Sequence, residues 1–193
     1  MIQQIIAVLQ QQVDGISFVN LFIICIWSCV LVGIAILIRV LCFHMEYSWL
    51  TINMWLSLTV YFCVLMFLTL GNREFGGTYA SKWIPFNQLM MDNGEPNVVA
   101  WILAGFNLTL FIPFGVIVTI LQKKIQSKRR ILYVLLESFF LSTMIEIIQG
   151  LVGLGYFETE DIILNTLGGM IGCGISNLTI ILLRRYRDNS LYF

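Results

Sequence analysis

Residues 17–43 read SFVNLFIICIWSCVLVGIAILIRVLCF, and Arg39 is the only charged side chain in the run. A helix of about 20 apolar residues crosses the hydrocarbon of a bilayer. This run is too long and too evenly apolar to be one face of a soluble helix. Working outward from it, four more segments of the same character follow, from Trp49 to Leu70, Asn97 to Leu121, Ile131 to Gly155 and Ile162 to Leu183. The expected fold is all-α, a polytopic membrane bundle of about five transmembrane helices.

Composition points the same way. Of the 193 residues 59% are hydrophobic and 11% charged, with a mean hydropathy of +0.87. Soluble domains carry about a quarter charged residues, and a water-soluble fold of this size could not hide so much apolar surface. Membrane lipids are the expected surroundings. The zero net charge gives no bulk attraction to nucleic acid, and no nucleic-acid partner is expected. The five cysteines, Cys25, Cys29, Cys42, Cys63 and Cys173, lie in apolar stretches without CxxC spacing and read as small buried hydrophobes. His44 is the single histidine, so no metal cluster built on histidine is expected, and no metal or cofactor is assigned. Walker, HExxH and GxSxG patterns are missing from the chain.

Three parts are expected along the chain. Residues 1–70 hold an amphipathic segment and two spans, residues 71–183 hold three spans, and residues 184–193 form a basic tail. In the first part Ile2, Ile5, Ile6 and Leu9 share one helical face between glutamines. That pattern suits either a helix lying in the membrane surface or an extension of the first span.

Orientation follows from lysine and arginine. Lys123, Lys124, Lys128, Arg129 and Arg130 fill one loop, and Arg184, Arg185 and Arg187 the tail. Both are expected to be cytoplasmic, which puts the N-terminus outside. The loop with Glu158, Glu160 and Asp161, and the long Gly- and Pro-punctuated segment from Gly71 to Pro96, are then external. Trp83, Ile84 and Phe86 are apolar enough to dip into the interface, and a segment this long is often functional.

Polar residues inside the spans carry the functional signal, because an intramembrane charge is costly. Glu146 and Gln149 stand three residues apart, on one helical face that extends to Ser142, Gly150 and Gly153. Asp161, Asn165, Gly168, Gly172 and Ser176 form a second stripe, in which Gly168 and Gly172 permit close helix contact. In the third span Asn107 precedes Pro113 and Gly115, and the proline removes a backbone donor and kinks the helix. The three stripes are expected to converge in the outer half of the membrane. Glu146 is expected about nine residues, or roughly 13 Å, below the outer end of its span. The competing reading makes these side chains interhelical glue worth about 0.6 kcal/mol each. A buried carboxyl must instead be protonated, paired or hydrated.

Three stretches together resemble the VanZ-like family of bacterial membrane proteins. They are Ile84-Pro-Phe-Asn87, then Asn107 with Phe111-Ile-Pro-Phe-Gly115, and then Ile145-Glu-Ile-Ile-Gln149 with Glu160-Asp-Ile-Ile-Leu-Asn-Thr-Leu-Gly-Gly169. The resemblance runs from about Gly71 to Leu183. It implies a bacterial plasma-membrane location and places Glu146, Gln149, Asp161 and Asn165 on the family's typical polar positions, with Asn87, Asn107 and Pro113 as companions. Many members carry an arginine shortly before the acidic turn. Here that stretch is Gly153-Leu-Gly-Tyr156, which leaves Glu158 and Glu160 without such a partner. Arg73 is the candidate substitute.

The resemblance further implies an association with resistance to teicoplanin, a lipid-tailed glycopeptide. The expected function is binding of an amphipathic envelope molecule, a lipid-tailed glycopeptide or a lipid-linked cell-wall precursor, at Glu146, Gln149, Asp161, Asn165, Asn107, Asn87 and Glu160. The alternative is an intramembrane enzyme acting on a lipid-linked substrate, with Glu146 as general base and Glu160 with Asp161 holding a divalent cation. A transporter would need a polar path through the inner half as well, and Val116 to Leu121 and Ile131 to Leu136 are apolar.

Overall fold

The computed structural model describes residues 18–43, 48–71, 80–82, 84–90, 95–152 and 156–190. The amphipathic segment 1–13, Arg73, Trp83 and the stretch 153–155 lie outside the described residues. Among the described residues five stretches of helix are long and apolar enough to cross a membrane, and the chain is a membrane helix bundle.

Helix α1 spans Phe18–Phe43 and leans on α2, Trp49–Met66. Ser48 caps α2, its hydroxyl accepting the Thr51 amide at 3.2 Å. At its far end α2 widens into a π-helical turn, Phe67–Gly71. The third apolar segment is two helices, α3 at Val98–Leu110 and α4 at Ile112–Leu121, broken at Phe111. Pro113 is the cause: it sits in the first turn of α4, where its missing N–H is tolerated, and denies α3 a donor. The Tyr61 hydroxyl donates to the Leu110 carbonyl at the break, 3.2 Å away. Helices α5, Ser127–Val152, and α6, Thr159–Ser190, complete the bundle.

Helix α6 is the axle, packing against α3, α4 and α5. Glycine allows the close approach. A Cβ on Gly168 would collide with the Leu108 carbonyl oxygen, and one on Gly172 with that of Ile112. Phe111, Phe114, Val118, Val134, Ile145 and Cys173 fill the space between α4, α5 and α6, joined by Leu65 of α2. Tyr61 stacks on Phe114 with ring centres 6.0 Å apart, and Phe62 meets the same ring edge-on at 6.2 Å. By contrast no residue from Leu21 to Cys42 of α1 is buried, and most of its large apolar side chains are exposed.

One feature lies outside the helical reading. Strand β1, Ala80–Lys82, pairs in parallel with β2, Tyr156–Glu158, just ahead of α6. This short ribbon ties the long segment before α3 to the loop between α5 and α6.

Candidate functional site

Beneath that ribbon lies a cavity of about 510 Å³ between α2, α3, α5 and the start of α6. One end is polar, lined by Asn107, Glu146, Gln149, Glu158, Glu160, Asp161 and Asn165; Leu65, Leu68, Leu103, Phe106 and Pro113 form an apolar wall. A larger groove between α1 and α2 is lined by residues such as Phe22, Cys25, Val30 and Val60. It is shallow and apolar, as a lipid-facing groove is, and carries no chemistry.

Each polar group in the cavity is held by the fold. Glu146 is 2% exposed, and its Oε2 accepts the backbone N–H of Glu158 at 2.8 Å. Gln149, three residues on, donates from Nε2 to the Thr69 carbonyl at 2.9 Å. That carbonyl lies in the π-turn, where the i→i+5 pattern disturbs the regular ladder and turns backbone toward other partners. Asn165 is 5% exposed and donates from Nδ2 to Ser142 Oγ at 2.8 Å. Asn107 Nδ2 donates to Asp161 Oδ1, linking α3 to the first turn of α6.

The stripes from α3, α5 and α6 therefore line one cavity. Helix α5 is described to Val152, six residues past Glu146, and residues 153–155, where the outer end of the span was expected, lie outside the described residues. Strand β2 covers the Glu146 carboxyl group, which is capped by backbone. One detail differs from the sequence reading: Asn87 is exposed and does not line the cavity, whereas its neighbour Gln88 does. Phe86 explains this, since its φ of 63° reverses the chain just before Asn87. A bulky residue rarely adopts that conformation. Its N–H donates to Glu160 Oε2 at 2.7 Å, and its carbonyl accepts the Leu89 N–H at 3.2 Å.

Glu160 thus has a backbone partner despite the missing arginine, and Glu158 is engaged through its own interactions as well. Arg73 cannot be placed, lying outside the described residues. Sequence reasoning did not select Glu158 or Gln88 as site residues. The only signal for Glu158 was its place two residues before Glu160; its role comes from pairing with β1 across more than seventy residues of chain. Gly168 and Gly172 sit below the cavity, at the α6 contacts with α3 and α4.

The VanZ/LLP1 family model matches residues 54–182. The chain belongs to the VanZ/LLP1 family. That match begins inside α2 and reaches well into α6, so it contains every residue lining the cavity, and it leaves α1 outside. Protein VanZ of Enterococcus faecium is similar: it is 36% identical over 74 residues, 37% of this chain and 44% of that protein. The alignment therefore spans less than half of that relative. No solved structure matches the chain.

Proposed function

We propose that this VanZ/LLP1 protein binds an amphipathic molecule of the bacterial envelope, head group among the carboxylates and apolar tail along Leu65, Leu68, Leu103 and Phe106. One observation carries the reading. A single cavity grades from a polar end built by three helices into an apolar wall, the form an amphiphile requires. The chain lies in the plasma membrane with its N-terminus and the ribbon outside and its basic tail in the cytoplasm, in keeping with the positive-inside pattern. The class of ligand, a lipid-tailed glycopeptide such as teicoplanin or a lipid-linked cell-wall precursor, comes from the family resemblance.

The test pairs a phenotype with direct binding. A susceptible host expressing the wild type is expected to tolerate more teicoplanin than one expressing Glu146→Gln or Asp161→Asn. The purified wild type is expected to melt higher with teicoplanin, and not with the same glycopeptide lacking its acyl chain. Equal susceptibility in all three strains removes the antibiotic part of the reading; equal response to both compounds removes the amphiphile.

The runner-up is an intramembrane enzyme using Glu146 and Asp161 on a lipid-linked substrate. The carboxylates gathered around the cavity favour it. A general base must reach a proton of the substrate, and one oxygen of Glu146 is already engaged with the Glu158 N–H. Turnover of a lipid-linked precursor by wild type, lost in Glu146→Gln, would decide for the enzyme.

A further inference from the structure

Glu158 closes β2, and Glu160 and Asp161 open α6. The three carboxylates each present an oxygen, and these oxygens all lie within 4.8 Å of one another. Like charges held so close favour a counter-cation. The spacing also carries a size. Oxygens bound to Ca²⁺ sit about 2.3–2.6 Å from the ion, so two on opposite sides are at most about 4.6–5.2 Å apart. The same limit for Mg²⁺, at about 2.0–2.1 Å, is roughly 4.2 Å. Every donor is a hard oxygen, which suits calcium better than zinc or copper, whose sites favour nitrogen and sulfur.

A second, independent observation points to a ligand at this place. Asn165 lies one helical turn below Asp161 on the same face of α6, lines the same cavity and is 95% buried. Its Nδ2 is used on Ser142, while its Oδ1 has no hydrogen-bond partner among the described residues. A buried carbonyl oxygen left in that state is costly. A cation, or a water carried by one, supplies what it lacks. The surroundings are also those of a built site: Phe86 N–H and Asn107 Nδ2 hold Glu160 and Asp161 in place, as outer hydrogen bonds orient metal ligands.

We propose that Glu158, Glu160 and Asp161 form a binding site for a calcium-sized divalent cation at the mouth of the cavity, with Asn165 Oδ1 facing the ion or its bound water. The site goes beyond amphiphile binding and does not need it, because the ion binds the protein alone. Its effect on the cavity is to turn an acidic mouth into one that receives phosphate or other anionic oxygens.

The experiment titrates the purified full-length chain, stripped with a chelator and held in detergent micelles without any amphiphilic antibiotic, with Ca²⁺ by calorimetry. One saturable site per chain is expected. Glu160→Gln and Asp161→Asn should each weaken binding at least tenfold, and Asn165→Leu severalfold. Glu137→Gln, on the cytoplasmic half of α5, should bind as wild type does. Circular dichroism checks the fold of each variant, and Glu158→Gln replaces any that misfolds. Well-folded wild type with no saturable binding overturns the site, as does a folded Glu160→Gln with unchanged affinity.

Discussion

Glu146 Oε2 accepts the backbone N–H of Glu158 at 2.8 Å, so the buried carboxylate of α5 holds the strand that covers it. The bond joins two roles: it fixes the lid of the cavity and gives a buried carboxyl oxygen its donor. A glutamine keeps an acceptor oxygen at this position, and a leucine does not. Glu146→Leu should therefore lower stability by about 1–3 kcal/mol, the cost of an orphaned buried donor, and Glu146→Gln by less. Thermal unfolding in detergent measures both, and amide exchange at Glu158 should rise in the leucine variant. Equal melting of Glu146→Leu and wild type would show that this bond does not hold the lid.

The glycines of α6 separate contact from helix propensity. Added methyl groups at Gly168 and Gly172 meet carbonyl oxygens of the neighbouring helices, whereas one at Gly174 meets nothing within 4 Å. Gly172→Ala should destabilise by about 1–3 kcal/mol as the helices are forced apart. Gly174→Ala should be neutral or gain up to about 1 kcal/mol, since alanine favours helix. Should the two variants unfold alike in an SDS titration, the close packing of α6 on α4 would not be what holds the bundle.

Much of this was legible in the sequence, and the reasons are physical. Helices that cross a bilayer must satisfy their backbone internally, so apolar length alone marked the five spans, with α3 and α4 read as one. Glu146, Gln149, Asp161 and Asn165 stood out because their types are costly where the pattern put them. The ribbon left no such trace. Ala80–Lys82 and Tyr156–Glu158 are three residues each, too short for a periodicity, and their pairing is a long-range choice made by the packed bundle. Asn87 and Gln88 differ by one position, and the positive φ at Phe86 decides which of them reaches the cavity. No rule of residue type foretells that.

The break between α3 and α4 gives a third prediction. Proline at 113 leaves carbonyls of the preceding turn in need of donors, and the Tyr61 hydroxyl serves Leu110. Tyr61→Phe keeps the ring stacking on Phe114 and removes only the donor. It should cost about 0.5–1.5 kcal/mol, the net value of one hydrogen bond, read as a lower melting temperature. Equal melting of Tyr61→Phe and wild type would show that the hydroxyl does not support the break.

Which way the cavity faces is the last prediction. Arg130 is buried and used structurally, donating to the Lys123 and Ile125 carbonyls at 3.4 Å each and to Asn177 Oδ1. Lys123, Lys124, Lys128 and Arg129 remain exposed beside it. Four exposed cations at the turn from α4 into α5 are expected on the cytoplasmic side by the positive-inside pattern, which would put the opposite end of α5, with Glu146 and the ribbon, outside. Ser127 and Glu95 are exposed markers at the two ends. In a cysteine-free background, Glu95→Cys should react with a membrane-impermeant maleimide on intact cells, and Ser127→Cys only after the membrane is opened. The reverse pattern would turn the cavity toward the cytoplasm. An envelope molecule arriving from outside could then not enter it, even though every contact described around Glu146 stayed as it is.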